Sequence, residues 1–133
     1  MLVNKTIAVY PVDAIISFVS GNTKKCKKFK FAGRKVRINS LKLQTFKKDG
    51  LVCADCGIQA SFFSLDTIKH KSQTRTTLNL YAWHDGQLKL MTCDHIIPKS
   101  KGGGKGIANT QTMCYACNHK KGNNYEQHTN YQS

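Results

Sequence analysis

The stretch that decides the fold is DHIIPKSKGGGKGIANTQTMCYACNHKKG, residues 94–122. It opens on an Asp-His pair, two isoleucines and Pro98, the profile of a strand that a proline closes. Residues 99–108 are rich in lysine and glycine, with Gly102, Gly103, Gly104 and Gly106, and this composition predicts a mobile loop. Thr110 to Met113 then read as a short strand, and a helix begins near Cys114 and fades after Gly122. Asp94 and His95, then Asn109, then Cys114, Cys117 and Asn118 therefore stand in a fixed order along strand, loop, strand and helix.

Upstream, Asp85-Gly86 separates Thr76–Trp83 from Gln87–Met91, a strong hairpin signal whose second strand runs on through residues 92–98. The stretch 61–75 is polar and yields no assignment. Cys53-Ala54-Asp55-Cys56-Gly57 reads as a turn. Before it, a helix is expected to start after Asn39 or Ser40, turn Leu41, Leu43 and Phe46 inward, and stop at Gly50. A shorter helix follows Pro11 through Val19, with Gly21 as its end. Between the two helices, residues 24–35 hold seven basic side chains with Phe29 and Phe31 alternating among lysines, as a basic edge strand or an exposed arm would. The elements sum to a small single domain of the α+β class. Residues 1–49 form its basic helical and extended region, 50–123 its core and 124–133 a flexible tail.

The 133 residues, 40% of them hydrophobic, suit one compact domain and exclude full disorder. The 21 Lys+Arg against 7 Asp+Glu, net +14, call for a polyanionic partner, of which nucleic acid is the commonest. Residues 1–50 carry 12 of the basic and 2 of the acidic side chains, so the N-terminal part is expected to supply most of a phosphate-facing surface. No apolar run reaches the length of a membrane span, and the N-terminus lacks a secretory leader pattern. The expected setting is a reducing cytoplasm, where cysteines bind metal or stay free.

Four of the six cysteines form two C-x-x-C pairs, Cys53/Cys56 and Cys114/Cys117. Two such turns separated by an excursion supply the four tetrahedral sulfurs that Zn²⁺ prefers, and a fully protein-ligated zinc is structural. It would pin the start of the Cys114 helix to the turn at 53–56. Cys93 reads as a small buried residue of a strand and Cys26 as an exposed one; neither is assigned a function.

Beside the zinc pairs, the polar residues suit phosphodiester hydrolysis. An imidazole such as that of His95 titrates near neutral pH and can serve as general base. The Asp94 carboxylate and Asn118 amide oxygen make a sparse hard-oxygen site that suits Mg²⁺ or Mn²⁺. Asn118 lies four residues after Cys114, so both share one helix face.

The run Cys53-x-x-Cys56, Asp94-His95-Ile96-Ile97-Pro98, a glycine-rich loop, Asn109-Thr110-Gln111 and Cys114-x-x-Cys117-Asn118-x-x-Lys121-Gly122 resembles the HNH endonuclease family. The resemblance spans about residues 50–123. It implies a ββα-metal finger, two strands, a loop and a helix around one divalent ion. It also implies cleavage of DNA, expected to be double-stranded, by a chain acting as a monomer or homodimer. By position His95 resembles the general base, Asp94 and Asn118 the metal ligands, and Asn109 the residue that orders the loop. The departure is Asn118, where many members carry histidine; His119 follows at once, but the spacing from the cysteine matches Asn118. Lys99, Lys101, Lys105, Lys120 and Lys121 would hold backbone phosphates near the finger, and Lys27, Lys28, Lys30, Arg34, Lys35 and Arg37 those alongside. The rival expectation is a non-catalytic zinc-binding nucleic-acid module on the same scaffold. A phage or mobile-element enzyme, acting in a bacterial or phage-infected host, is the family-level expectation for origin.

Overall fold

The computed structural model describes residues 3–19 and 26–122. Gly21 as a helix end, Lys24 and Lys25 of the basic tract, and the tail at 124–133 lie outside the described residues.

The chain opens with strand β1 (Val3–Pro11) and turns directly into helix α1 (Val12–Ile16), with Pro11 at the position before the helix. Next come β2 (Lys28–Phe31) and β3 (Arg34–Arg37), a separate two-stranded ribbon, and helix α2 (Leu41–Asp49). β4 (Phe62–His70), β5 (Gln73–His84) and β6 (Gln87–His95) follow, then β7 (Thr110–Cys114) and helix α3 (Tyr115–Lys121). The large sheet has the order β1-β4-β5-β6-β7, every pair antiparallel. The molecule is a single α+β unit made mostly of strands. Among the described residues no helix is long and apolar enough to cross a membrane.

The local chemistry explains the turns. Asp85 (φ 51°) and Gly86 (φ 72°) both take positive φ between β5 and β6, the pair of angles that a two-residue turn matched to strand twist demands. Ser40 caps α2 by accepting a hydrogen bond from the Leu43 N–H at 3.2 Å, and the helix stops at Gly50. Leu43 and Phe46 are buried as expected, whereas Leu41 is only half-buried.

The stretch that sequence left unassigned is β4 and the start of β5. Its polar residues are buried with partners: Asp66, with no exposed surface, accepts from Thr6 Oγ1 (2.8 Å), Ser64 Oγ (2.5 Å) and Asn79 Nδ2 (2.7 Å). A buried carboxylate is tolerated when its lone pairs are met in this way. β1, which the residues alone did not announce, pairs along β4 with two register shifts. The expected boundary at 49/50 falls between α2 and the cysteine turn. Elements from both sides share one core, with Ile15, Val36, Leu43 and Phe46 against Phe63, Leu65, Leu80 and Met91. The Phe46 and Phe63 rings meet at 6.3 Å in its middle.

Candidate active site and metal centre

β6, β7 and α3 position the polar residues singled out above. β6 and β7 pair from Met91↔Cys114 to His95↔Thr110, and α3 folds back along β6. An open cavity of about 300 Å³ lies where β6 ends, and Asp94, His95, Lys99, Lys105 and Asn118 are among its lining residues. Three of the four candidate catalytic residues thus meet at one cavity, and the fourth, Asn109, is bonded to Gly104 of its lining.

Asn109 works as a clasp. Its Nδ2 donates to the Ile97 carbonyl (3.0 Å) and the Gly104 carbonyl (2.9 Å), while its Oδ1 accepts from the Ile97 N–H (2.9 Å). Its own carbonyl accepts from the Ile96 N–H at 2.9 Å. The two residues after His95 are thereby tied to the far end of the loop. The glycine-rich loop at 99–108 contains two 3₁₀ turns, Lys99–Lys101 and Ile107–Asn109, and this amide spans it. Gly103 is required there: a Cβ would run into the Ile97 carbonyl and crowd the Asn109 amide.

Asp94 is buried, 6% exposed, on the β6 end. Gln111 Nε2 donates to its Oδ2 at 3.0 Å, and the Lys121 ammonium stands 3.1 Å from the same oxygen. Lys121 also donates to the His95 carbonyl at 2.9 Å. The structure therefore sets Lys121 apart from the other lysines assigned to phosphate: it is mostly buried and ion-paired inside the site. Lys101 and Lys120 are exposed, and Lys99 and Lys105 reach the cavity.

Thr92 decides the orientation of Asn118. The Thr92 hydroxyl donates to the Met113 carbonyl across the strand pair (2.8 Å), which commits its hydrogen. Towards Asn118 it can therefore only accept, and it does so from Nδ2 at 2.8 Å. With the amide nitrogen held on Thr92, Oδ1 is the end of the group left for the cavity that Asn118 lines. His119 is exposed and stacks on Tyr115, ring centroids 5.8 Å apart. Adjacent helical residues point about 100° apart, and it is Asn118 that faces the cavity. Gln111 and Thr92 escaped the sequence reading because each acts through a partner on the neighbouring strand or helix.

The sulfurs of Cys53, Cys56, Cys114 and Cys117 all lie within 4.8 Å of one another. Cys56 Sγ and Cys114 Sγ are 3.8 Å apart, the spacing of about 3.8 Å that tetrahedral sulfurs adopt around Zn²⁺ at Zn–S of about 2.3 Å. The Cys56 N–H donates to Cys53 Sγ and the Cys117 N–H to Cys114 Sγ, each at 3.5 Å, so each pair curls around its first sulfur. Burial and the crowding of neighbouring sulfurs push the Cys117 thiol up. Burial also raises Cys53, but hydrogen bonds from the backbone outweigh it and leave that thiol at about 7. The donor set and its spacing fit a structural metal such as zinc. Cys93 is half-buried at the cavity with its sulfur 3.4 Å from Thr45 Oγ1, and Cys26 is exposed.

Residues 85–132 match the HNH endonuclease family. The resemblance carried by the residues is borne out over this segment. The HNH match takes in β6, β7, α3 and all four candidate catalytic residues. It includes Cys114 and Cys117 and begins after Cys53 and Cys56. The match points to nuclease chemistry in this segment. No curated protein and no solved structure matches the chain.

Proposed function

We propose that the chain is a metal-dependent DNA endonuclease whose active site is the cavity at the end of β6, built as a ββα-metal finger from β6, β7 and α3. The observation that carries this reading is the Asn118 amide. Its nitrogen is fixed on Thr92, so its oxygen is left for the same cavity as the Asp94 carboxylate and His95.

Asp94 and Asn118 would hold Mg²⁺ or Mn²⁺, and their donors fit: one carboxylate and one amide oxygen suit a hard ion that keeps several waters. When bound, the ion neutralises charge on the scissile phosphate and the departing 3′ oxygen. His95 takes the proton of the attacking water. Asn109 holds the backbone just beyond His95, and Lys121 fixes the His95 carbonyl and the Asp94 carboxylate to α3. Lys99 and Lys105 at the cavity rim, with Lys101 and Lys120 nearby, contact the DNA backbone. The four cysteines hold zinc as a structural ion. The products carry 5′-phosphate and 3′-hydroxyl ends.

Supercoiled plasmid tests this. The purified protein should nick or linearise it with Mg²⁺ or Mn²⁺ and should stop when those ions are withheld. Salt-dependent DNA binding without cleavage under any divalent ion would instead support the non-catalytic module.

A further inference from the structure

We propose that the β2–β3 ribbon is a phosphate-backbone clamp for double-stranded DNA, distinct from the catalytic cavity. The choice of duplex DNA rests on the nuclease reading; the clamp itself rests on how the ribbon distributes its charge. Lys28 pairs directly with Arg37, and Lys30 with Lys35. Cross-strand partners project to one side, and positions two apart along a strand share that side. These four cations therefore occupy a single face, and all four residues are exposed.

The opposite face is mostly apolar and is seated through Phe31 and Val36, with Phe29 partly exposed. Phe31 and Val36 are buried, and Phe18 makes edge-on ring contacts with Phe29 at 5.2 Å and Phe31 at 5.7 Å. Tyr10 of β1 meets Phe31 at 5.7 Å. The aromatic contacts fix which way the ribbon faces, and the tight turn at Ala32 (φ 50°) and Gly33 (φ 77°) fixes its register. Arg34, opposite Phe31, belongs to the seated side.

Like charges set directly opposite each other on a strand pair are destabilising. Nothing within the described residues relieves them: the ion pairs there are Lys48–Asp49, His84–Asp85 and Lys121–Asp94, none on the ribbon. Arg37 Nε donates to the Asn39 side chain, a neutral partner. A polyanion relieves the repulsion. Successive cations along one strand stand roughly 7 Å apart, a spacing suited to successive phosphates of a DNA strand. The ribbon lies outside the matched segment 85–132, so this contact belongs to the chain's own N-terminal part.

The test reads binding rather than cleavage. Anisotropy of a labelled duplex is followed across salt with His95→Ala protein and no added divalent ion. Replacing Lys28, Lys30 and Lys35 together by Gln should flatten the slope of log Kd against log salt by about 3, about one per lost phosphate contact. Replacing the same three by Arg should keep the slope. Replacing Lys5, Lys69 and Lys71, exposed elsewhere, by Gln changes net charge equally and should leave the slope nearly unaltered. An unchanged slope in the ribbon variant, an equal loss in the control, or a loss in the Arg variant overturns the proposal. So does a ribbon variant that loses only its binding to phosphatidylserine vesicles. A chain that binds with this ribbon-dependent slope yet never cleaves plasmid sinks the nuclease reading alone; a chain that cleaves with a ribbon-independent slope sinks the clamp alone.

Discussion

At the scale of single residues, the proposed chemistry depends on which end of an amide faces the cavity. Thr92 settles this for Asn118 because its hydroxyl hydrogen is already given to Met113. Thr92→Val keeps the shape and removes the acceptor, so Asn118 is free to turn. Outer hydrogen-bond partners of metal ligands are typically worth 10- to 100-fold in metal affinity or activity. Mn²⁺ affinity by calorimetry and nicking rate should therefore both fall by about 10- to 100-fold in Thr92→Val, and Thr92→Ser should restore both. Asn109→Ala removes three side-chain hydrogen bonds around the loop. Each is worth about 0.5–1.5 kcal/mol net, so a stability loss of about 1.5–4.5 kcal/mol in urea titration is expected, together with slower cleavage. That Asp94, His95 and Asn118 come together at one cavity was legible in the order of the motif along the chain. Thr92, Gln111 and the inward turn of Lys121 were not, since each role depends on a partner from another element.

At the scale of elements, α3 is the one that a metal on the four cysteines would secure. It has seven residues, too few to hold as an isolated helix. Its N-cap is Cys114, whose sulfur accepts from the Cys117 N–H, so the capping atom is also a candidate zinc ligand. Zinc removal should loosen α3 and with it Asn118 and Lys121. A chelated sample should lose thermal stability and cleavage; Mg²⁺ alone should not restore cleavage, and Zn²⁺ followed by Mg²⁺ should. Continued cleavage by zinc-free protein would separate the two sites. The β5–β6 hairpin, α2 and the β7–α3 join were readable because Asp-Gly turns, serine caps and C-x-x-C pairs are local signals. β4 was not, because its buried Asp66 is satisfied by Thr6 and Asn79, residues distant in sequence or on another strand.

For the whole molecule, the five-stranded sheet joins the N-terminal strand to the cavity through one core. Phe46, fully buried on α2, meets Phe63 on β4 within that core. Phe46→Ala should cost about 3–5 kcal/mol in chemical denaturation, and the loss should appear in a single transition that includes the half with the four cysteines. The excess of positive charge was plain from composition; its concentration on one face of β2–β3 required the strand pairing. The measurement that bears most directly on the whole account is the nicking rate of His95→Ala beside the parent protein, both carrying one zinc per chain. Loss of a general base predicts a rate lower by about 10²- to 10⁴-fold with zinc content unchanged. Equal rates from the two proteins would contradict the assignment of His95 and, with it, the active site drawn at the end of β6.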